Sequence, residues 1–284
     1  MIPSSIISSF SRGASASAPR PEEPGAGAPA RGYGERRVQR LPASPAPACR
    51  SARARDLDLK SNSWKSLRQG DLGDCYFLSA LGGLAKQRPR DLEHLVRVCG
   101  NQWHVQFYRL RPVQVTGSEI RKGVQADGRW ASVLESAWQK ASGHLLRSGR
   151  VSEPGGDPAQ AIEALTGNRA RTASVSERNV GYLLTQVGES LERGGIAVAA
   201  TGSQVTQGLL PDHAYTILEA RFPDRIVLRN PWGSAPYTGP EPAGCQVNRW
   251  GDGTFAMDPK AFARGFTDLY YEVRPPAQGR QPAG

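Results

Sequence analysis

The apolar pattern of this chain changes period close to Gly167. Upstream of it, apolar residues recur at helical spacing. "CYFLSALGGLAKQ" sets Phe77, Leu81 and Leu84 on one face with Ala80 and Ala85, and "WASVLESAWQKASG" groups Val133, Leu134, Ala137 and Trp138. "DPAQAIEALTG" reads as a shorter helix, with Asp157 and Pro158 as cap and first position. Only "QWHVQFYRL" and "PVQVTG" alternate like strands on that side, as a hairpin. Downstream, "SVSERNVGYLLTQVGESLERG" reads as one helix opened by a capping-type serine. Short β-rich runs split by turn residues then follow: "GIAVAATGS", "HAYTILEA", "RIVLRNPW", "GTFAMD" and "DLYYEVR". A helical half followed by a stranded half points to the α+β class, with two lobes and a cleft between them. The helical lobe is expected over residues 59–168 and the β-rich lobe over 169–275. Gly82 and Gly83 cost helix propensity, which implies that another backbone packs closely there.

Residues 1–58 are rich in Ala, Ser, Pro, Gly and Arg and carry few large apolar side chains, so little burial offsets chain entropy. They read as a disordered leader, and residues 276–284 as a disordered tail. "MIPSSIISSF" lacks the basic start and unbroken apolar run of a secretory signal; a Ser- and Ala-rich, acid-poor leader could instead be an address read by export machinery. No stretch approaches the roughly 18–20 apolar residues needed to span a bilayer. The net charge of +10 raises nucleic acid as a partner. About half of the excess, however, sits on scattered leader arginines with almost no aromatic residues between them, which argues against that role. Cys49, Cys75, Cys99 and Cys245 fit no CxxC spacing, and the expectation is free thiols in a reducing intracellular compartment.

One of these cysteines stands apart. Cys75 follows the glycine-rich "QGDLGD" at the start of a helix, where the dipole favours the thiolate over a thiol of pKa ~8.5. His213 enters the strand "HAYTILEA", and Asn230 ends the next, "RIVLRN". Consecutive strands can bring the two side by side, so that Asn230 orients the imidazole. Pro231 keeps Asn230 extended, and Trp232 could shield the Asn–His bond from water. Gln69, six residues before Cys75, could donate to an oxyanion together with the Cys75 backbone N–H. His94 and His104 have no such surroundings.

The blocks "QGDLGDCYFLSALGGLA", "HAYTILEA" and "LRNPWG" resemble the three catalytic blocks of the calpain family of papain-like cysteine proteases. "WASVLESAWQKASG", "EALTG", "DGTFAMDPKAF" and "LYYEV" support the resemblance, which covers roughly residues 62–274. It implies the two-lobed calpain protease core, with Cys75 as nucleophile, His213 as general base and then acid, Asn230 as orienter and Gln69 as oxyanion donor. Gly73, Asp74 and Trp232 would support the site. Tyr76 stands where the family nearly always has tryptophan, and a similar cleft wall is expected of it.

The departures concern calcium. Glu135 matches one ligand of the family's calcium sites and Asp252 is kept, but Ser66, Ser234 and Thr254 stand where the family carries acids. Each lost carboxylate removes charge and a ligand from a site that needs about 6–8 oxygens. The expectation is therefore no cofactor, with calcium doubtful, for an endopeptidase making limited cuts in protein substrates. A catalytically silent binding module and a thiol acyltransferase are the alternatives; Asn230, where acyltransferases usually carry aspartate, argues against the second. A protease core behind such a leader would suit a bacterial effector translocated into host cytoplasm.

Overall fold

The structure, a computed structural model, describes residues 48–120, 124–143, 155–205, 208–234, 237–239, 241–242 and 251–274. In chain order its elements begin with β1 (Cys49–Ser51), α1 (Ala54–Leu57), α2 (Cys75–Gln87), α3 (Pro89–His94), β2 (Val96–Cys99), β3 (Gln102–Val105) and β4 (Val113–Thr116). Two helices follow, α4 (Trp130–Ala141) and α5 (Pro158–Thr166), then β5 (Ala170–Ser174), α6 (Val180–Glu192), β6 (Ala197–Ala200), β7 (Ala214–Arg221) and β8 (Arg225–Arg229). The chain closes with β9 (Thr254–Met257), α7 (Pro259–Gly265) and β10 (Asp268–Glu272).

Strand β7 shows why the stranded half reads as apolar runs rather than as alternation. Ala214 joins the core of the helical lobe, while Tyr215 and Ile217 point into a second core with Val180, Leu184 and Phe262. A strand covered on both faces has no polar side to alternate with. β7 lies inside a six-stranded antiparallel sheet of order β5-β10-β6-β7-β8-β9. Helices α6 and α7 bring the second core to one face of this sheet, and α2 packs on the other. The close approach implied by Gly82 and Gly83 is that of α2 on this sheet. A methyl group on Gly83 would lie 3.4 Å from Ile196 Cβ, and one on Gly82 3.5 Å from Thr216 Oγ1. Two hydrogen bonds lock the crossing: Ser79 Oγ donates to the Ala214 carbonyl at 3.0 Å, and Thr216 Oγ1 donates to the Ser79 carbonyl at 2.8 Å.

A smaller antiparallel sheet, β1-β2-β3-β4, flanks the helical lobe. Its β3–β4 pair is the expected hairpin, in register from Gln102 opposite Thr116 to Val105 opposite Val113. Asp157 caps α5 as expected, accepting from the Ala159 N–H at 2.8 Å.

Three expectations change. Residues 48–58 are not part of a disordered leader: β1 pairs with β2, α1 follows, and Ala52 and Leu57 are buried in the helical-lobe core. Residues 1–47, the tail 276–284 and Cys245 lie outside the described residues. Cys49 and Cys99 are not free thiols but a disulfide, because the β1–β2 register sets them opposite each other. The inference of a reducing compartment, which rested on free thiols, loses that support; Cys75 is the free cysteine among the described residues. Finally, α6 begins at Val180 with Asn179 as its N-cap residue, because Ala170–Ser174 pair with β10 as an edge strand instead. No helix among the described residues is long and apolar enough to cross a membrane.

Candidate active site

Each side of the α2–β7 crossing brings one reactive side chain to a shared cleft. Cys75 opens α2, one turn before the Ser79 lock, and His213 immediately precedes β7. Both line a cleft of about 640 Å³ together with Gln69, Gly73, Asp212 and Trp232. The Cys75 thiol sits against the backbone of Ala214, the residue after His213.

The histidine is held from behind. Its Nε2 lies 2.9 Å from Asn230 Oδ1, and Asn230 is fully buried at the end of β8. The same oxygen accepts the Trp232 backbone N–H at 3.0 Å. A backbone N–H can only donate, so this bond fixes which end of the Asn230 amide faces the ring. The imidazole must then carry its proton on Nε2, which leaves the Nδ1 lone pair as the free base. The Trp232 ring stands edge-on to the imidazole with centroids 5.2 Å apart, and covers the pair while remaining 46% exposed.

The two walls of the cleft are stitched together below the site. Gln69 N–H donates to the Pro231 carbonyl at 2.7 Å, and Arg68 Nη1 to the Gly233 carbonyl at 2.5 Å. Arg229, buried beneath them, donates from Nη2 to the carbonyls of Leu67 at 2.5 Å and Lys65 at 3.1 Å. Burial holds its guanidinium down at about 10, with the nearby Asp252 charge opposing. The Gln69 side chain uses one amide hydrogen on the Leu72 carbonyl at 2.5 Å and retains a second.

Electrostatically the site differs from its sequence reading. Burial pushes the Cys75 thiol up, and the Asp74 charge adds to this; the backbones of Ala214, Tyr76 and Cys75 itself pull the other way by less. Burial pushes His213 down, partly offset by its bond to Asn230. Both shifts favour the uncharged forms, and burial works against the thiolate that the helix start favours. Desolvation disfavours both charges and outweighs the first-turn N–H groups.

Asp74 and Glu135 form a partnership that the sequence did not reveal. Both are almost completely buried, and their carboxyls hydrogen-bond each other. Asp74 also accepts from Gln139 Nε2 at 3.3 Å, and Glu135 from the Val124 N–H at 3.2 Å. Burial, and for Asp74 the Glu135 charge as well, push both well above the usual carboxylate range, so a proton is shared across the pair. The aromatic at position 76 is likewise misplaced by the sequence reading. Tyr76 forms no cleft wall: it is buried and accepts from Trp138 Nε1 at 2.9 Å, and Gly156 is needed because a side chain there would strike the Tyr76 ring.

The positions tied to calcium are scattered among other partners. Ser66 Oγ donates to the Ser63 carbonyl at 2.7 Å and accepts the Asp127 N–H at 2.8 Å, and Ser234 is exposed. Asp252 accepts from the Thr254 N–H at 3.0 Å. Among the described residues no three His, Cys, Asp or Glu side chains group as metal ligands.

Comparison with known proteins agrees with this architecture. The family profile described as calpain family cysteine protease matches residues 48–270. Calpain-13 of Rattus norvegicus is 26% identical over 235 residues, which cover 69% of this chain and 32% of the relative. Calpain-14 of Homo sapiens is 28% identical over 220 residues, 66% and 30% of the two chains. For the calpain-2 catalytic subunit of Gallus gallus the identity is 25% over 247 residues, 71% and 34%. The chain therefore spans about a third of the length of the curated relatives it matches. Because the profile runs through both walls of the cleft, the α+β fold is that of the two-lobed protease core, and this protein belongs to the calpain family of cysteine proteases.

Proposed function

We propose that the chain is a cysteine endopeptidase in which Cys75 is the nucleophile, His213 the proton carrier, Asn230 its orienter and Gln69 an oxyanion donor. The observation that carries this reading is the fixed tautomer of His213: Asn230 Oδ1 holds the Nε2 proton and leaves Nδ1 free on the cleft that Cys75 also lines.

The reaction starts from the neutral pair. As a substrate carbonyl enters, Nδ1 takes the thiol proton and the sulfur attacks the carbonyl carbon. The negative oxygen that forms is met by the Cys75 backbone N–H and the second Gln69 amide hydrogen; loss of one such donor typically costs about 10²–10³ in kcat. His213 then gives its proton to the departing amine, leaving an acyl-enzyme. Water, deprotonated by the same Nδ1, attacks that thioester, and the proton returns to sulfur as the acid leaves. Trp232 keeps bulk water from the Asn230–His213 bond throughout.

This site works without calcium. A calcium ion wants about 6–8 oxygen ligands. Glu135, the one retained acid on the helical side, is instead bonded to Asp74 and the Val124 N–H, and Asp252 faces Thr254 and the Arg229 charge. The residues present do not suit the ion. The cross-wall bonds of Arg68, Gln69 and Arg229 supply the link between lobes that an ion would otherwise have to make.

The test is covalent labelling by an epoxide-type cysteine-protease inhibitor, first with chelator and then with excess calcium, with Cys75→Ala as blank. Labelling in chelator, absent in Cys75→Ala, is the expected result. Labelling only with calcium overturns the calcium reading alone. No labelling in either condition favours the silent binding module.

A further inference from the structure

Two carboxylates rim the cleft, one from each wall. Asp71 lies in the loop that leads into α2, and Asp212 immediately precedes His213; both are exposed and both line the cleft. Neither side chain has a hydrogen-bond or ion-pair partner among the described residues. No lysine or arginine is among the described residues that line the cleft. With two carboxylates and neither of those cations among its described lining residues, the cleft carries a negative rim.

Asp212 occupies a backbone conformation of φ 47°, in the left-handed region that favours glycine, with its N–H donating to the Gly202 carbonyl at 3.0 Å. Aspartate adopts this region more readily than most side chains, and here it holds a carboxylate next to the histidine. A groove with low-dielectric walls and charges of one sign focuses their field on whatever fills it.

We propose that the cleft selects polypeptide segments rich in lysine and arginine, with Asp71 and Asp212 as the residues that read the charge. The proposal rests on the cleft being the substrate site of the protease reading above, and names the class of substrate. An exposed ion pair changes affinity by about 1.4- to 5-fold. Two carboxylates that each attract a basic segment and repel an acidic one by that factor give a basic-to-acidic ratio of about 4 or more. Screening shrinks this ratio as the Debye length falls from about 10 Å at 0.1 M salt to about 3 Å at 1 M.

The experiment uses three fluorescent peptides of one length, matched except for lysine, glutamine or glutamate flanking a common central sequence. Binding is read by anisotropy on the full chain carrying Cys75→Ala, and cleavage of the same peptides on the unaltered chain. The expected result is a basic-to-acidic affinity ratio of about 4 or more at low salt. It should fall toward 1 in 1 M salt and in Asp71→Asn/Asp212→Asn, and reverse in Asp71→Lys/Asp212→Asn, a gain that misfolding cannot produce. Peptides bound with equal affinity, or a preference that survives both double variants, overturn the proposal. If basic peptides bind selectively but none is cut, the charge reading stands and the protease reading fails; cleavage with no charge preference has the opposite meaning.

Discussion

The two walls of the cleft hold their reactive groups by different means. On the β side, His213 and Asn230 sit at the ends of β7 and β8, and the ladder that pairs Thr216 with Arg229 fixes where they meet. Backbone hydrogen bonds do that work, so most side chains of the wall are free to be chosen for packing. On the α side, Gln69, Gly73 and Cys75 ride on a loop and a first helical turn. Beside a few backbone bonds, such as Gln69 N–H to the Pro231 carbonyl and Gly155 N–H to the Gly73 carbonyl, their support leans on side chains: the Asp74–Glu135–Gln139 cluster, the Gln69–Leu72 bond and the Ser79–Thr216 lock. A wall made of ladder bonds tolerates substitution, whereas a wall made of side-chain bonds depends on each partner. Buried polar atoms without a hydrogen-bond partner occur in both walls, Gln69 Oε1 and Gln139 Oε1 on the α side and Asn230 Nδ2 and Arg229 Nε on the β side.

The sharpest way to break the contrast is at the β-wall side chain that holds the histidine. Asn230→Ala leaves the His213 Nε2–H and the Trp232 N–H without their acceptor, and frees the imidazole to adopt the other tautomer. We expect kcat/KM on a peptide substrate to fall by about 10²–10⁴, with a stability loss of about 1–3 kcal/mol that leaves the protein folded. A loss under tenfold would mean that the ladder alone positions the histidine.

Next comes the stitch between walls. Arg229→Met removes both donors to Leu67 and Lys65 and leaves those carbonyls buried; the expected cost is about 2–4 kcal/mol in denaturant unfolding. A cost below about 1 kcal/mol would show that the walls stay joined without it.

The α wall makes its own prediction through pH. A carboxyl whose folded pKa is raised stabilises the fold fully below its unfolded value, near pH 4, and that contribution is lost as pH rises toward neutrality through the raised value. Asp74 and Glu135 are both raised. Glu135→Gln keeps a hydrogen-bond partner for Asp74 but removes one titrating group and the like charge. The melting temperature should therefore fall less between pH 5 and pH 8 than in the parent, by an amount corresponding to about 1–2 kcal/mol. Parallel pH profiles for the two proteins would count against the shared proton.

The smallest effect is expected where the walls touch. Thr216→Val removes one hydroxyl donor to the Ser79 carbonyl and should cost about 1 kcal/mol in stability while epoxide labelling of Cys75 persists. Loss of labelling there would place more of the site's alignment on this single bond than the contrast allows.

Much of this arrangement was legible before any coordinates. The helices over Cys75–Gln87, Trp130–Ala141 and Pro158–Thr166 and the β-rich second half follow from local period and punctuation. Cys75, His213, Asn230 and Gln69 could be singled out because each stands at an element's end or in a glycine-rich turn. Other features were hidden for identifiable reasons. The strand Ala170–Ser174 has too little apolar alternation to announce itself; it exists because β10 offers it a ladder. The Cys49–Cys99 disulfide needed the β1–β2 register, which nothing local to either cysteine specifies. Tyr76 is expected at the cleft because it stands where the family carries tryptophan, yet adjacent residues on a helix point about 100° apart, and this one faces Trp138.

The sequence by itself determined which elements form, in what order, and which chemically able side chains stand at their ends, because helix period, turn residues and caps act over a few neighbouring positions. Tertiary structure alone decided who partners whom and which charges are disfavoured: that Asp74 meets Glu135, that Arg229 reaches across to Leu67, and that burial raises the Cys75 thiol. Desolvation and pairing depend on atoms contributed by distant segments, and those atoms arrive only when the two walls close.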